Sequence, residues 1–409
     1  LAAATHTAML FHADRHEPLV SDAWDEAIAR RKIEQIVGDV EARFSPELLW
    51  PTHPNDSSER APSYMLYWGA CGVLWALRYL EARGACSLKR DYAPYVESLL
   101  GPNRKRMGHE AEEPFGSYLM GDTGIRLLQQ WHAPSGETRS ELIKLVEATR
   151  DHPARELMWG APGTLLASLF LHQRTGEAVW SELYRATAQQ LWSQLHWSGE
   201  HGCHYWTQDL YGRTYTFLDA VHGFVATASV LINGRHLLAP AVWADWQECI
   251  SNTVRQTVGC DRGRANWRAR LDSAPLSESP GLVQFCHGAP GFVICLADFP
   301  SDGLDDLLVA GGETTWSAGP LRKGSNLCHG TGGNGYAFLK LHRRFGGSTW
   351  LERARAFAMH GIHQTEHDLA QFGQLRYSLW TGDLGFAVYL LDCIEGTARF
   401  PTLDVFFES

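Results

Sequence analysis

The sequence predicts an all-α protein, an (α/α) toroid with seven inner and seven outer helices. The first observation is a small recurring pattern, a pair of glycines three residues apart that opens an apolar run. It occurs at Gly69/Gly72, Gly121/Gly124, Gly160/Gly163, Gly288/Gly291, Gly330/Gly333 and Gly382/Gly385, with a degenerate fourth member at His222-Gly223-Phe224-Val225-Ala226. The second is the period: the leading glycines at 69, 121, 160, 223, 288, 330 and 382 lie on average about 52 residues apart, room for two helices of about 15 residues and their loops. The third is the alternation of helix character. Runs such as 73–80, 164–171 and 386–392 are apolar nearly all round, as buried helices are, whereas 141–150, 178–195 and 350–363 carry their charges on one side.

Helix pairs in tandem form either an open solenoid or a closed ring. An open solenoid needs polar capping repeats at its ends, yet the first and last inner runs are as apolar as the middle ones, so the ring is expected. Glycine at the inner-helix N-termini allows backbone conformations closed to other residues and close approach of neighbouring loops. Residues 1–60 lack the pattern. They read as a helical lead-in packed on the ring, with one amphipathic helix over 22–42 and an extended stretch marked by Pro51, Pro54 and Pro62. The toroid itself is expected over residues 61–409.

Composition narrows the function classes. The chain has 409 residues, 44% hydrophobic and 20% charged, which excludes a disordered chain. Its 36 basic and 46 acidic residues leave a net charge of −10 with no basic stripe, against nucleic acid as a partner. No apolar run approaches membrane-spanning length, and residues 1–6 lack the charged and apolar regions of a signal peptide. The expectation is a cytoplasmic protein whose nine cysteines form no disulfide framework.

In a ring all inner-helix N-termini face one end, so residues beside the glycine pairs converge there. Two consecutive repeats carry Cys286-His287-Gly288 and Cys328-His329-Gly330, the fourth carries His222-Gly223, and the third carries Glu156 four residues before Gly160. Zinc accepts thiolate and imidazole ligands, with three from the protein in catalytic sites, and Cys286, Cys328 and His329 supply such a set. The alternative is two buried cysteines beside hydrogen-bonded histidines. His222 is a candidate acid or base because imidazole titrates near neutral pH, or a structural loop histidine. Glu156 either orients it or caps a helix. Arg322 and Lys323 either hold an anionic substrate or are surface charge. The pair His363/His367 has ligand spacing but lacks the neighbouring Glu of zinc proteases. Asp122 and Asp383, each just inside a glycine pair, are the one pair a glycoside hydrolase could use, and as helix first-turn acids they have a structural reading too.

These segments resemble the lanthionine synthetase C-like (LanC-like) family, which includes bacterial lantibiotic cyclases and glutathione-binding eukaryotic relatives. The resemblance is carried by Cys286-His287-Gly288-Ala289-Pro290-Gly291, by residues 323–339 around Asn326-Leu327-Cys328-His329-Gly330-Thr331-Gly332-Gly333, by Glu156-Leu157-Met158-Trp159-Gly160 and by Ala220-Val221-His222-Gly223. It runs from about residue 60 to the C-terminus. It implies a double helical ring with one zinc at the mouth, held by Cys286, Cys328 and His329, with His222 as acid/base. Cyclases of the family tend to have Asp at the place of Glu156 and an Arg at that of Leu282, whereas the glutathione-binding relatives tend to have Glu and a lysine that Lys323 matches. The implied reaction is addition of a thiol to dehydroalanine or dehydrobutyrine. The thiol is either glutathione or a cysteine of a dehydrated precursor peptide, and a dehydratase is a possible partner. A non-catalytic zinc- and glutathione-binding sensor or scaffold is the alternative.

Overall fold

The computed structural model describes residues 10–56 and 61–408; the signal-peptide reading of residues 1–6 lies outside them. Fifteen α-helices follow in order: α1 (Glu26–Ala42), α2 (Ala70–Ala82), α3 (Ala93–Val96), α4 (Leu100–Arg106), α5 (Asp122–His132), α6 (Gly136–Thr149), α7 (Ala161–Thr175), α8 (Ala178–Ser193), α9 (Phe224–Asn233), α10 (Pro240–Thr257), α11 (Ala289–Leu296), α12 (Asp305–Ala318), α13 (Thr331–Phe345), α14 (Ser348–Phe372) and α15 (Asp383–Glu395). Each leading glycine is the residue before an inner helix: α2, α5, α7, α9, α11, α13 and α15. Successive inner helices touch, and α15 touches α2, so the ring closes.

The outer layer sits in the grooves of the inner one. Helices α6, α8, α10, α12 and α14 each pack on the inner helix that precedes them in the chain. The place outside α15 is taken by α1, whose buried face carries Ala29, Ile33, Ile36, Val37 and Val40. Between α2 and α5 stand only the short α3 and α4. The N-terminal segment is bound across the ring. Leu10 accepts from Gly281 N and Asn266 Nδ2, His16 Nδ1 meets Gly319 O at 2.9 Å, and Glu17 meets His360 Nε2 at 2.8 Å. His363, free of any metal cluster among the described residues, meets Asp22 at 2.6 Å instead.

Among the described residues three two-stranded antiparallel hairpins interrupt the helical plan, a feature the periodicity did not predict: β1 (His196–Ser198) with β2 (Cys203–Tyr205), β3 (Gln208–Leu210) with β4 (Arg213–Tyr215), and β5 (Val258–Asp261) with β6 (Arg264–Trp267). No helix among the described residues is long and apolar enough to cross a membrane.

The glycines do only part of what the sequence suggested. Leading glycines such as Gly69, Gly160 and Gly330 have φ between −117° and −121°, an extended conformation open to any residue. Gly288, with φ of 106°, is the exception among them. The second glycines serve close approach. A Cβ at Gly333 would lie 1.8 Å from Leu327 O and 3.2 Å from the Phe285 Cβ of the preceding repeat. At Gly72 it would lie 2.3 Å from Leu66 O and 2.8 Å from the Leu379 Cβ, across the ring closure. In the degenerate fourth repeat this place holds Ala226, buried in the core.

Gly333→Ala should lower unfolding stability by about 1–3 kcal/mol through overpacking against backbone. Gly199→Ala, where a Cβ meets nothing within 4 Å, is the control. Urea denaturation of both variants checks this, and equal stabilities would mean that repeat spacing is not set by the second glycine.

Candidate metal centre and acid–base pair

The loops before the inner helices meet at one end of the ring and are stitched to one another through main-chain hydrogen bonds. Tyr67 N donates to Leu119 O (3.0 Å), Leu119 N to Met158 O (3.3 Å), Leu157 N to Val221 O (3.3 Å), Cys286 N to Cys328 O (3.0 Å), Cys328 N to Trp380 O (2.8 Å) and Trp380 N to Tyr67 O (3.1 Å). Six of the seven junctions are made this way. The remaining one, between the fourth and fifth loops, is bridged by a side chain: His287 Nδ1 to Asp219 Oδ2 at 2.7 Å.

Because all seven loops share one register, equivalent positions form layers. Two residues before the leading glycine stand Cys286 and Cys328 in adjacent repeats; one residue before it stand His222, His287 and His329 in three successive repeats. The Sγ atoms of Cys286 and Cys328 and a ring nitrogen of His329 lie within 4.8 Å of one another. Both cysteines are buried and His329 is half-buried. These three side chains could hold a metal ion. Gln284 Nε2 donates to Cys286 Sγ (2.8 Å) and Tyr67 Oη to Cys328 Sγ (2.9 Å). The hydrogen bond from Cys286, the charge of His329 and the Tyr67 hydroxyl hold the Cys328 thiol well below its ordinary range against burial. Burial, reinforced by its neighbour Cys328, pushes the Cys286 thiol up.

Beside this set, His222 Nδ1 meets Glu156 Oε2 at 2.9 Å. Glu156 is fully buried and also accepts from the main-chain N–H groups of Met158 and Trp159, so its orientation is fixed by its own loop. Burial opposes protonation of His222, but the hydrogen bond and charge of Glu156, with help from Asp219, outweigh it and raise the imidazole from 6.5 to about 9. His287 is likewise raised: burial works against it, and Asp219 overcomes that.

Asp219 was missed in the sequence, though the signal was there. It stands four residues before its leading glycine, the place of Glu156, and accepts from Val221 N (3.1 Å) and His222 N (2.9 Å) as well as from His287. Gln284 and Asn326 fill the same layer in the next two repeats, and Asn326 Oδ1 accepts from His329 N at 3.0 Å.

Arg322 and Lys323 are both exposed. The Arg322 guanidinium turns to the N-terminal segment, with Nε 3.2 Å from Asp14 O and a terminal nitrogen 4.0 Å from Glu17. Among the described residues the Lys323 side chain has no hydrogen bond or ion pair. Asp122 and Asp383 are each engaged by protein donors. Asp122 is fully buried and binds Arg104 at 2.6 Å, and Asp383 accepts from Arg376 N at 2.8 Å and from Ser325 Oγ at 3.4 Å. Both are first-turn acids holding their own loops.

A closed double ring whose mouth gathers two Cys-His-Gly units defines a class of protein, and comparison with known proteins names it. The profile of lanthionine synthetase C-like proteins matches residues 60–405, so the chain belongs to that family. Among curated relatives, it is 35% identical over 130 residues to "Glutathione S-transferase LANCL1" of Danio rerio, an alignment covering 30% of this chain and 32% of that protein. It is 33% identical over 141 residues to "LanC-like protein GCL1" of Arabidopsis thaliana, covering 30% of each. The chain therefore matches about a third of the length of these relatives. Among solved structures, "Nisin cyclase" superposes with a TM-score of 0.60 over 93% of this chain and 98% of that one, at 15% identity, which shows the shared fold.

The raised His222 value gives a sign to the pH dependence of stability. Because the folded protein favours the imidazolium, the contribution is complete below about pH 6.5 and is lost as pH rises through about 9. In chelator-treated protein, the unfolding free energy of wild type minus that of His222→Gln should shrink between pH 6 and pH 10. A difference that stays constant would mean that the ring is neutral throughout.

Proposed function

We propose that the chain catalyses zinc-dependent addition of a thiol to dehydroalanine or dehydrobutyrine, forming a thioether. The observation that carries this reading is the convergence of Cys286, Cys328 and His329 beside the His222–Glu156 pair. The donor set fits zinc: two sulfurs and an imidazole, with no carboxylate in the cluster and each sulfur steadied by one neutral donor. Cys286, Cys328 and His329 would hold the ion, which when bound stabilises an incoming thiol in its deprotonated form at neutral pH.

The remaining chemistry belongs to the chain's own residues. As the substrate sulfur bonds to the β-carbon, the π electrons of the dehydro residue move toward its carbonyl. The α-carbon must then take up a proton. His222, held through Nδ1 by Glu156, presents Nε2 for that transfer. Glu156 keeps the ring oriented and supports its positive charge, and the buried setting strengthens that interaction. Lys323, exposed and unpaired among the described residues, is the cation proposed to meet a carboxylate of glutathione. Arg322 is the second cation of that segment, and its contacts with Asp14 and Glu17 favour a supporting part through the N-terminal segment.

Glutathione or another small thiol is the favoured donor, because Glu156 and Lys323 stand where glutathione-binding relatives carry these types and Leu282 replaces the cyclases' Arg. The acceptor is a peptide or protein whose Ser or Thr has lost water, so a dehydrating reaction has to precede this one.

Mass spectrometry of the zinc-loaded protein with glutathione and a dehydroalanine peptide should detect the thioether adduct. Full zinc content without any adduct would leave the non-catalytic thiol-binding reading in its place. Cys328→Ala should lose zinc and adduct formation together, and retention of one zinc per chain would remove it from the ligand set. His222→Ala should keep its zinc and lose turnover by about a hundredfold or more; unchanged turnover would dismiss it as the proton donor.

A further inference from the structure

We propose that Tyr211, at the tip of the β3–β4 hairpin, is a specificity-determining residue that receives the polypeptide acceptor across an aromatic rim, apart from the side on which the thiol donor enters. This rests on the thioether-forming reading above and adds to it a binding face for one of the two substrates.

The hairpin is fixed at its base. Gln208 is fully buried and binds both main-chain groups of Phe217, Asp209 N donates to Pro153 O at 3.0 Å, and Arg155 reaches Thr207 O at 3.1 Å. The pairing of Leu210 with Arg213 leaves a two-residue turn, Tyr211-Gly212, with φ of 54° and 75°. Such a turn needs positive φ at both central residues, which Asn or Gly meets at little cost and a bulky aromatic does not. The β5–β6 hairpin has the same turn at Arg262-Gly263, and there the arginine side chain is left largely in solvent. Tyr211 behaves differently. Its ring turns back toward the mouth, 6.4 Å and edge-on to His222 and 6.3 Å and edge-on to Trp159, whose Nε1 donates to the Tyr211 hydroxyl at 3.3 Å.

Tyr211 nonetheless stays 69% exposed, the most exposed large side chain of its kind among the described residues. A strained position occupied by an exposed ring, beside the acid–base histidine, points to a role in function more than in packing. Phe217 also approaches the same imidazole, at 5.6 Å. Tyr211 and Phe217 thus stand against His222, and Trp159 extends this aromatic rim through Tyr211. This rim suits the acceptor and not the donor. A dehydro residue is a planar conjugated amide, and it and its neighbouring peptide planes can lie on aromatic faces. Glutathione is anionic, and the three neutral rings offer its carboxylates no counter-charge; the exposed cation Lys323 precedes the Cys328 loop.

Tyr211→Gly removes the ring and relieves the turn, so function and folding should move in opposite directions. Expected are a melting temperature at or above that of wild type, one zinc per chain, an unchanged KM for glutathione, and a KM for a Phe-dehydroalanine-Phe peptide raised by about tenfold. Tyr211→Phe should stay near wild type. A lower melting temperature, an equal rise in both KM values, or an unchanged peptide KM in Tyr211→Gly would overturn the proposal. Binding of the same peptide, fluorescein-labelled, is followed by anisotropy without turnover. If wild type forms no thioether, the functional reading falls alone, and weaker peptide binding by Tyr211→Gly still decides the place of Tyr211.

Discussion

The mouth of this protein depends on a circle of main-chain hydrogen bonds that runs from loop to loop around the ring, Tyr67 to Leu119, Leu119 to Met158, and on through Cys328 and Trp380 back to Tyr67. Such bonds require neighbouring backbones to come within about 3 Å of one another. At six of the repeats a second glycine leaves no Cβ between its helix and the loop of the preceding repeat, whereas the bond from Leu157 N to Val221 O forms with Ala226 in that place. The circle places residues two before each leading glycine at one level. Two of these are Cys286 and Cys328, and Cys286 N donates directly to Cys328 O. The bond that joins the fifth and sixth loops therefore also fixes the spacing of the two cysteines.

One junction lacks the main-chain bond, and there a carboxylate takes its place. Asp219 binds Val221 N and His222 N with one oxygen and His287 Nδ1 with the other. Glu156 does for His222 what Asp219 does for His287, accepting from its own loop and from one imidazole of the next repeat. Buried carboxylates are tolerated when every lone pair finds a donor, and these two are satisfied by main-chain N–H groups and imidazoles. The consequence is electrostatic. Positive character is favoured on two imidazoles that flank a sulfur-rich centre, an arrangement suited to handling thiolates and developing negative charge.

The same loop geometry accounts for the acids that a carbohydrate-cleaving site would have needed. Asp122 and Asp383 occupy the first turns of α5 and α15, where the helix end favours negative charge. Arg104 and the Arg376 main chain consume them. A residue type with two readings is thus settled by its partners, which are distant in sequence: Arg104 is eighteen residues from Asp122 in the chain, and His287 is sixty-eight from Asp219.

The seven inner helices, their closure into a ring and the Cys–Cys–His cluster were legible in the sequence, because each follows from a local pattern repeated in register. The glycine pairs, the all-round apolar runs and the two Cys-His-Gly units need no knowledge of distant contacts. What the sequence alone did not decide were features set by partners far apart in the chain. Helix α1 stands as the outer partner of α15, the hairpins arch between helices, Asp219 bridges two loops, and Arg322 turns toward Asp14 and Glu17. Periodicity reports which face of an element is buried. Only the closed ring determines which side chain meets it there.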